Sequence, residues 1–499
     1  MAPEDHDDLL DQVSPKHYQQ FRQLYNELLG YVERDEWDKV AQFSDHLDQS
    51  LQQAMAVQIA IDRRLQNFKR QRNIAQKQAI YQRFRNPEST IEISHPFPLK
   101  RSIVMSSSSA KDLERVPDRL ARARKLDRLQ QEMHAYVKDQ NIDALLMFRQ
   151  ESMYWLTGYD TFGYVFFQTL ILDKNGNIIL LTRAPDLRQA QNTSNIEDIK
   201  IWVDKDGSNP TDDLKVILDE LNLKGKKLGV EYEAYGLTGR NALRLNKSLE
   251  NYCSLEDKSD LITKLRVVKS KEEIVYVKKA AELADKALDE VWRHAKAGVS
   301  ESKILAEMNR VIFEGGGDYP ANEFIIGSGK NALLCRYQAE KQILDKQDQL
   351  TVEWAGTYRH YHSAMFRTIP IGKADPKHHK MHEACVEALK NCESKLKPGN
   401  KVGEVFDIHA KTFDDLGFKK ARMNACGYSL GNTFSPNWMD WPMLYTGNPY
   451  VIEPGNVFFL HMILMDSTSN LAMNLGETYL VTQNGNERLG KQKLDLVIL

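Results

Sequence analysis

Apolar positions recur at helical spacing at the start of the chain. Phe21, Leu24, Tyr25, Leu28 and Leu29 share one face, and Leu47, Leu51, Ala54, Ile61, Leu65 and Phe68 follow at close to heptad intervals. Gly30 is the only glycine between Pro15 and Pro87, with no proline between those two. Residues 1–100 are therefore expected to be a helical extension, a hairpin or bundle of two or three helices. The serine run Ser106–Ser109, with Pro98 before it and the charged Lys111–Arg115 after it, reads as a linker. Met105 lies just ahead of that run, so the remainder can stand as a module of its own. From there the pattern alternates. A helix over 117–139 is followed by strands at Ala144–Phe148, Gln168–Leu172, Ile178–Leu181 and Lys227–Val230, with helices between them, which predicts an α/β domain over 105–264. A long charged helix starts near Ser270, and helices mixed with hairpin-like strands continue to residue 499. Residues 265–499 are expected to be α+β, and so is the chain as a whole.

Two stretches of the last domain stand out. Glu353–Thr368 reads as strand, turn near Gly356, and strand; in a regular second strand His360, His362 and Ala364 would share a face. Val457–Met465 is almost wholly apolar but is interrupted by His461, and it reads as a buried strand.

Composition narrows the class. Hydrophobic residues are 42% and charged residues 27% of the 499, with a net charge of -2, so a globular protein of several domains is expected and electrostatic binding of nucleic acid or membrane is not. No run approaches the roughly 18 apolar residues a membrane span needs, and the acidic start has no apolar leader core. Five cysteines without CxxC spacing suggest reduced thiols in a cytoplasmic protein.

Six segments, in order, carry a resemblance to the creatinase and prolidase superfamily: Tyr154–Tyr159 as a strand and turn, Leu265-Arg266 with Lys269-Ser270 and Glu273-Ile274 as a hinge, Gly327–Ala332, Gly427-Tyr428-Ser429-Leu430-Gly431 where the family has GHGxG, Ile452–Gly455, and Gly476–Thr482. The resemblance implies a creatinase-like N-terminal domain, a pita-bread C-terminal domain holding the active site, and a homodimer. Peptidases of the family hold two divalent ions with Asp, Asp, His, Glu and Glu. Carried over, those positions fall at Glu353, Ala364, Tyr428, Glu453 and Gly476, with Glu477 displaced by one. Two carboxylates of five ligands do not neutralise a dinuclear centre, so no metal and no cofactor is expected.

The segment Glu353–Thr368, the Gly427–Gly431 turn followed by Pro436 and Trp438, and Phe459–Met462 before Gly476–Thr478 resemble the metal-free ectoine hydrolase branch. That resemblance implies hydrolysis of a C–N bond, an amide or cyclic amidine, in a small zwitterion. Glu353 and Glu453 are the expected acid–base pair, facing each other so that repulsion raises one pKa. His360 and His362 could relay a proton, and Tyr428 could steady an oxyanion. Arg336, Trp438 and Glu477 are the candidate substrate contacts, Arg336 as a bidentate clamp for a carboxylate. The bland readings are a salt bridge for Arg336, core packing for Trp438 and satisfied structural histidines for His360 and His362. Two other functions stay open: an Xaa-Pro metallopeptidase and a non-catalytic pita-bread binding module. Residues 1–90, which resemble a flagellar export chaperone type of helical domain around Leu24–Trp37, are a possible surface for a protein partner.

Overall fold

A computed structural model describes residues 133–137, 139–336 and 342–499. The helical extension, the serine linker and the chaperone-like pattern lie outside the described residues. The chain divides into two compact units between Lys258 and Ser259. Among the described residues no helix is long and apolar enough to cross a membrane.

The first unit is built on a six-stranded sheet of order β4-β3-β2-β1-β5-β6, comprising β1 (Ala144–Met147), β2 (Thr169–Asp173), β3 (Ile178–Arg183), β4 (Asp198–Trp202), β5 (Lys227–Val230) and β6 (Ser254–Asp257). Helices α1 (Gln150–Thr157), α2 (Asp186–Thr193), α3 (Pro210–Glu220) and α4 (Gly239–Leu249) connect the strands. Leu146, Ile171, Leu181 and Leu228 make its core with Leu214 and Leu218 of α3 and Leu245 of α4. The Tyr154–Tyr159 motif is not a strand. It is the end of α1, closed by Gly158 in the left-handed conformation at φ 77°, a backbone state that costs glycine little. The start of that helix is held by a residue distant in sequence. Buried Glu231 accepts from the backbone N–H groups of Phe148 (3.0 Å) and Arg149 (2.9 Å) and from the Ser152 hydroxyl (2.6 Å). Burial raises the Glu231 pKa, and these three donors at the helix entry oppose that shift by favouring the carboxylate.

The second unit opens with α5 (Asp260–Arg266), α6 (Lys271–His294) and α7 (Glu301–Glu314). The hinge motif has a local cause. Ser270 accepts from the Glu273 N–H and Glu273 accepts from the Ser270 N–H, a capping box that starts α6. An eight-stranded sheet follows, with its main path β11-β10-β12-β13-β9-β8-β7 and β14 paired to β13. Its strands are β7 (Ile325–Ser328), β8 (Asp348–Tyr358), β9 (Tyr361–Ile371), β10 (Gly427–Ser429), β11 (Asp440–Met443), β12 (Val457–Asp466), β13 (Leu471–Thr482) and β14 (Gly485–Arg488). Helices α8 (Pro376–Lys395) and α9 (Val402–Asp415) pack on its outer face through Phe458, Leu460, Met462 and Leu464 of β12. His378 and His382 on α8 turn toward the protein interior. The Nε2 atom of His378 bonds Gln349 Oε1 at 3.0 Å, and that of His382 bonds the Leu494 carbonyl at 2.8 Å.

The β8–β9 hairpin turns at Arg359 and His360, whose φ values of 52° and 60° are both left-handed, the geometry a two-residue hairpin loop demands. Gly356 lies inside β8 instead of at the turn. A Cβ there would stand 1.9 Å from the Ala280 carbonyl of α6, and Trp354 Nε1 donates to the Ala284 carbonyl at 3.0 Å on the same side. Glycine at 356 is thus a contact requirement between sheet and helix. Gly356→Ala is expected to destabilise the protein by about 3 kcal/mol, read as a lower urea midpoint with unchanged slope.

Candidate active site

Alternation fixes which side chains share the inner face of the second sheet. Glu353 pairs with Phe366, Phe366 with Gly476, and Gly476 with His461. Phe459, two residues from His461, pairs with Tyr428. One face therefore carries Glu353, Ala364, Phe366, Gly476, His461, Phe459 and Tyr428, opposite to the face packed on the helices.

The Tyr428 hydroxyl donates to Glu353 Oε1 at 3.3 Å and accepts from Trp438 Nε1–H at 2.9 Å. Strands β12, β13 and β9 lie between β10 and β8 in the sheet. Four steps of about 4.8 Å would put these residues roughly 19 Å apart in a flat sheet. Their contact therefore requires the sheet to curl around its inner face, with Phe366, Gly476, His461 and Phe459 forming the floor beneath the Tyr428–Glu353 link.

Burial pushes the Glu353 carboxyl up to about 7, against the opposing pull of the Tyr428 hydrogen bond and the Arg336 charge. Tyr428 is raised well above the usual phenol range by burial and then by the Glu353 charge. Arg336 is exposed, and its Nη1 donates to the Cys335 carbonyl at 2.8 Å. Its charge acts on both Glu353 and Tyr428. The site is thus one buried carboxylate held near neutrality, a phenol locked by an indole, and an outer guanidinium.

Several expected members are elsewhere. Glu453 does not face Glu353; it is exposed in the turn before β12, where its carboxylate accepts from Tyr450 at 3.4 Å and its N–H donates to Asn456 at 2.8 Å. Glu477 has the opposite parity to Gly476. It lies buried on the outer face, ion-paired with Arg367, with Arg488 at 3.9 Å, and is no substrate contact. His360 is in the hairpin turn instead of the strand, stacked on Phe434 with ring centroids 4.1 Å apart. His362 does share the inner face, yet both of its nitrogens are engaged. Nε2 accepts from the Ala321 N–H at 3.0 Å, so Nδ1 carries the proton and donates to Thr433 Oγ1 at 3.1 Å. Burial and the neighbouring His360 push its pKa down to about 3, so it acts as a neutral brace, not a relay. Trp438 is buried, and its indole positions Tyr428.

The residue that completes the inner face is His461. Its Nδ1 is buried without a hydrogen-bond partner, its ring lies 5.6 Å from that of Tyr428, and burial pushes its pKa down to about 4. It occupies the place expected of Glu453. The available signal was its position as the polar interruption of an apolar strand, two residues from Phe459.

Comparison with known proteins agrees with this architecture. The Creatinase/Prolidase N-terminal domain matches residues 125–268, and Metallopeptidase family M24 matches residues 276–483. The chain is 26% identical over 365 residues to the ectoine hydrolase of Halomonas elongata, covering 70% of this chain and 90% of that protein. It is 24% identical over 367 residues to the Xaa-Pro dipeptidase of Pyrococcus horikoshii, covering 72% and 96%. The crystal structure of an X-Pro aminopeptidase from Thermotoga maritima superposes with a TM-score of 0.66 at 18% identity, covering 74% of this chain and 99% of that one.

The name of the matched C-terminal family implies metal, and the residues present do not fit a two-ion centre. Of the five ligand positions, 364 is alanine, 428 tyrosine and 476 glycine, and Glu453 is outside the site. The space is also filled. A Cβ at Gly476 would stand 2.6 and 2.7 Å from the Phe459 ring and 2.8 Å from Phe366 Cβ. Among the described residues, the acidic and histidine side chains close enough to share an ion are Glu290, His294 and Glu307 on α6 and α7. These are ion-paired with Arg293, Arg310 and Lys303. The curled sheet, the capping-box hinge and the two family matches lead to one conclusion: the chain belongs to the creatinase/prolidase superfamily, and among the described residues its inner face carries one carboxylate, Glu353.

Proposed function

We propose that the second unit hydrolyses a C–N bond, in an amide or cyclic amidine, of a small zwitterionic amino-acid derivative without a metal ion, as an ectoine hydrolase-like enzyme. The observation that carries the reading is buried Glu353, poised near pH 7 and bonded to Tyr428. That pKa suits a general base at neutral pH. Glu353 takes a proton from water as the water oxygen bonds to the substrate carbon. The C–N bond then breaks, and the proton passes from Glu353 to the leaving nitrogen. Once Glu353 is protonated it no longer needs the Tyr428 hydroxyl as a donor, which frees that O–H for the oxyanion formed on the attacked carbon. Arg336 pairs with the substrate carboxylate, and Trp438 keeps the phenol in place.

The reading takes the protein to be a cytoplasmic homodimer. All five cysteines are free thiols, which suits a reducing compartment; sedimentation of the full chain measures the assembly.

Protein stripped with a chelator is expected to hydrolyse ectoine at the untreated rate and to carry sub-stoichiometric transition metal by elemental analysis. Two ions per chain, lost together with activity, would overturn the metal-free mechanism. An Xaa-Pro peptidase would instead cleave Gly-Pro and need added metal.

A further inference from the structure

Among the described residues, three buried polar atoms on the inner face have no partner: Oγ1 of Thr357, Nδ1 of His461 and Oδ1 of Asn474. The last two belong to one patch. Asn474 pairs with Ile463, and His461 with Gly476, so the two lie on neighbouring strands with the same parity. The Asn474 amide is held from its other end, where Nδ2 donates to Thr368 Oγ1 at 2.9 Å and Thr351 Oγ1 at 3.3 Å. That leaves its carbonyl oxygen free to accept. Other polar side chains around them are occupied: Thr478 Oγ1 donates to the Ala364 carbonyl at 2.8 Å, and Tyr428 links Trp438 to Glu353. A buried acceptor left unmade costs free energy and is retained where a ligand supplies the donor. Donors for a substrate oxygen are available in Tyr428 and Arg336. Acceptors for a substrate N–H, once Glu353 is committed to water, are His461 and Asn474.

We propose that His461, with Asn474 beside it, receives the N–H of the scissile nitrogen and so restricts the site to secondary amides and N–H amidines. The imidazole accepts this hydrogen bond through Nδ1 and neither gains nor loses a proton; the proton transfers remain those of water, Glu353 and the leaving nitrogen. Tertiary amides, including every Xaa-Pro bond, have no hydrogen on that nitrogen and leave both acceptors empty. The proposal deepens the hydrolase reading and rests on it for the identity of the scissile bond.

The test uses a matched pair, N-acetylglycine and N-acetylsarcosine, which differ by N–H against N–CH3, together with ectoine. The wild-type chain is expected to favour N-acetylglycine by roughly 10- to 100-fold in kcat/KM, the range set by one unpaired buried acceptor. His461→Phe, which keeps a flat ring but no acceptor, should lose that preference, while His461→Gln should restore part of it. Thermal melting of both variants confirms folding. If His461→Phe does not fold, His461→Gln and Asn474→Leu carry the comparison. A preference unchanged in the variants, or absent in the wild type, overturns the proposal and leaves the Glu353 mechanism standing. If the wild type turns over none of the three compounds, the hydrolase reading fails instead. Calorimetric binding of the same pair then decides: discrimination that disappears in His461→Phe supports the N–H subsite, and equal binding overturns it.

Discussion

Glu353→Gln is expected to cut turnover by about 10²–10⁴-fold, the usual cost of removing a positioned acid or base, while the fold is kept. The amide is nearly isosteric and can still accept from Tyr428, so circular dichroism and the melting temperature should change little. The pH profile separates this role from a structural one. The Glu353 carboxyl sits at about 7 in the folded protein, above the roughly 4.3 of a free glutamate, and the ionised form is the base. Activity should therefore rise with pH through about 7, on a single acidic limb. Stability should move the other way. Because the folded pKa is the higher one, the contribution of Glu353 is fully present below about pH 4.3 and is lost as pH rises through 7. Glu353→Gln should flatten both dependences. Glu453→Gln should leave both in place, which distinguishes this site from a coupled pair of carboxylates.

The second large effect concerns Glu477. Its carboxylate and the Arg367 guanidinium are buried together between sheet and helices. Glu477→Ala strands Arg367 without its counter-charge and should cost about 3–5 kcal/mol in chemical denaturation. The two carbonyls that Arg367 also reaches, of Phe366 and Gly476 at 2.9 Å each, argue for the lower end. A substrate-binding role would instead raise KM with stability intact.

Much of this architecture was legible along the chain because its strands and helices carry strong local signals. The strands at Ala144, Ile178, Lys227 and Val457 begin where alternation and apolar runs put them. The Lys269-Ser270…Glu273 hinge is a capping box written in sequence. Sequence motif and structure part where strand parity or turn geometry decides. Tyr154–Gly158 has strand-like residues, but burial on every side and the Glu231 carboxylate at its start make it a helix. The hairpin turn moved from Gly356 to Arg359-His360 because Gly356 is demanded by α6, a long-range contact invisible locally. Glu353 and Tyr428 are identifiable from the motifs, since each lies in a strand whose pairing sets the direction of its side chain. Glu453 was misplaced because its Glu-Pro-Gly motif sits one turn ahead of the strand, and only the pairing of His461 with Gly476 reveals which residue faces inward.

The packing around Gly476 bears on how far this site can be altered one residue at a time. Its missing side chain leaves room that the Phe459 ring and Phe366 now occupy. A carboxylate does not fit at 476 while the Phe459 ring remains, and shrinking that ring alone opens a void in an aromatic floor. Each single change gives a less stable protein, although several changes made together need not. The positions are therefore mutually dependent: a side chain at 476 and the Phe459 ring compete for one space. Building a two-ion centre into this chain would require positions 459 and 476 to change together with 364, 428 and 461.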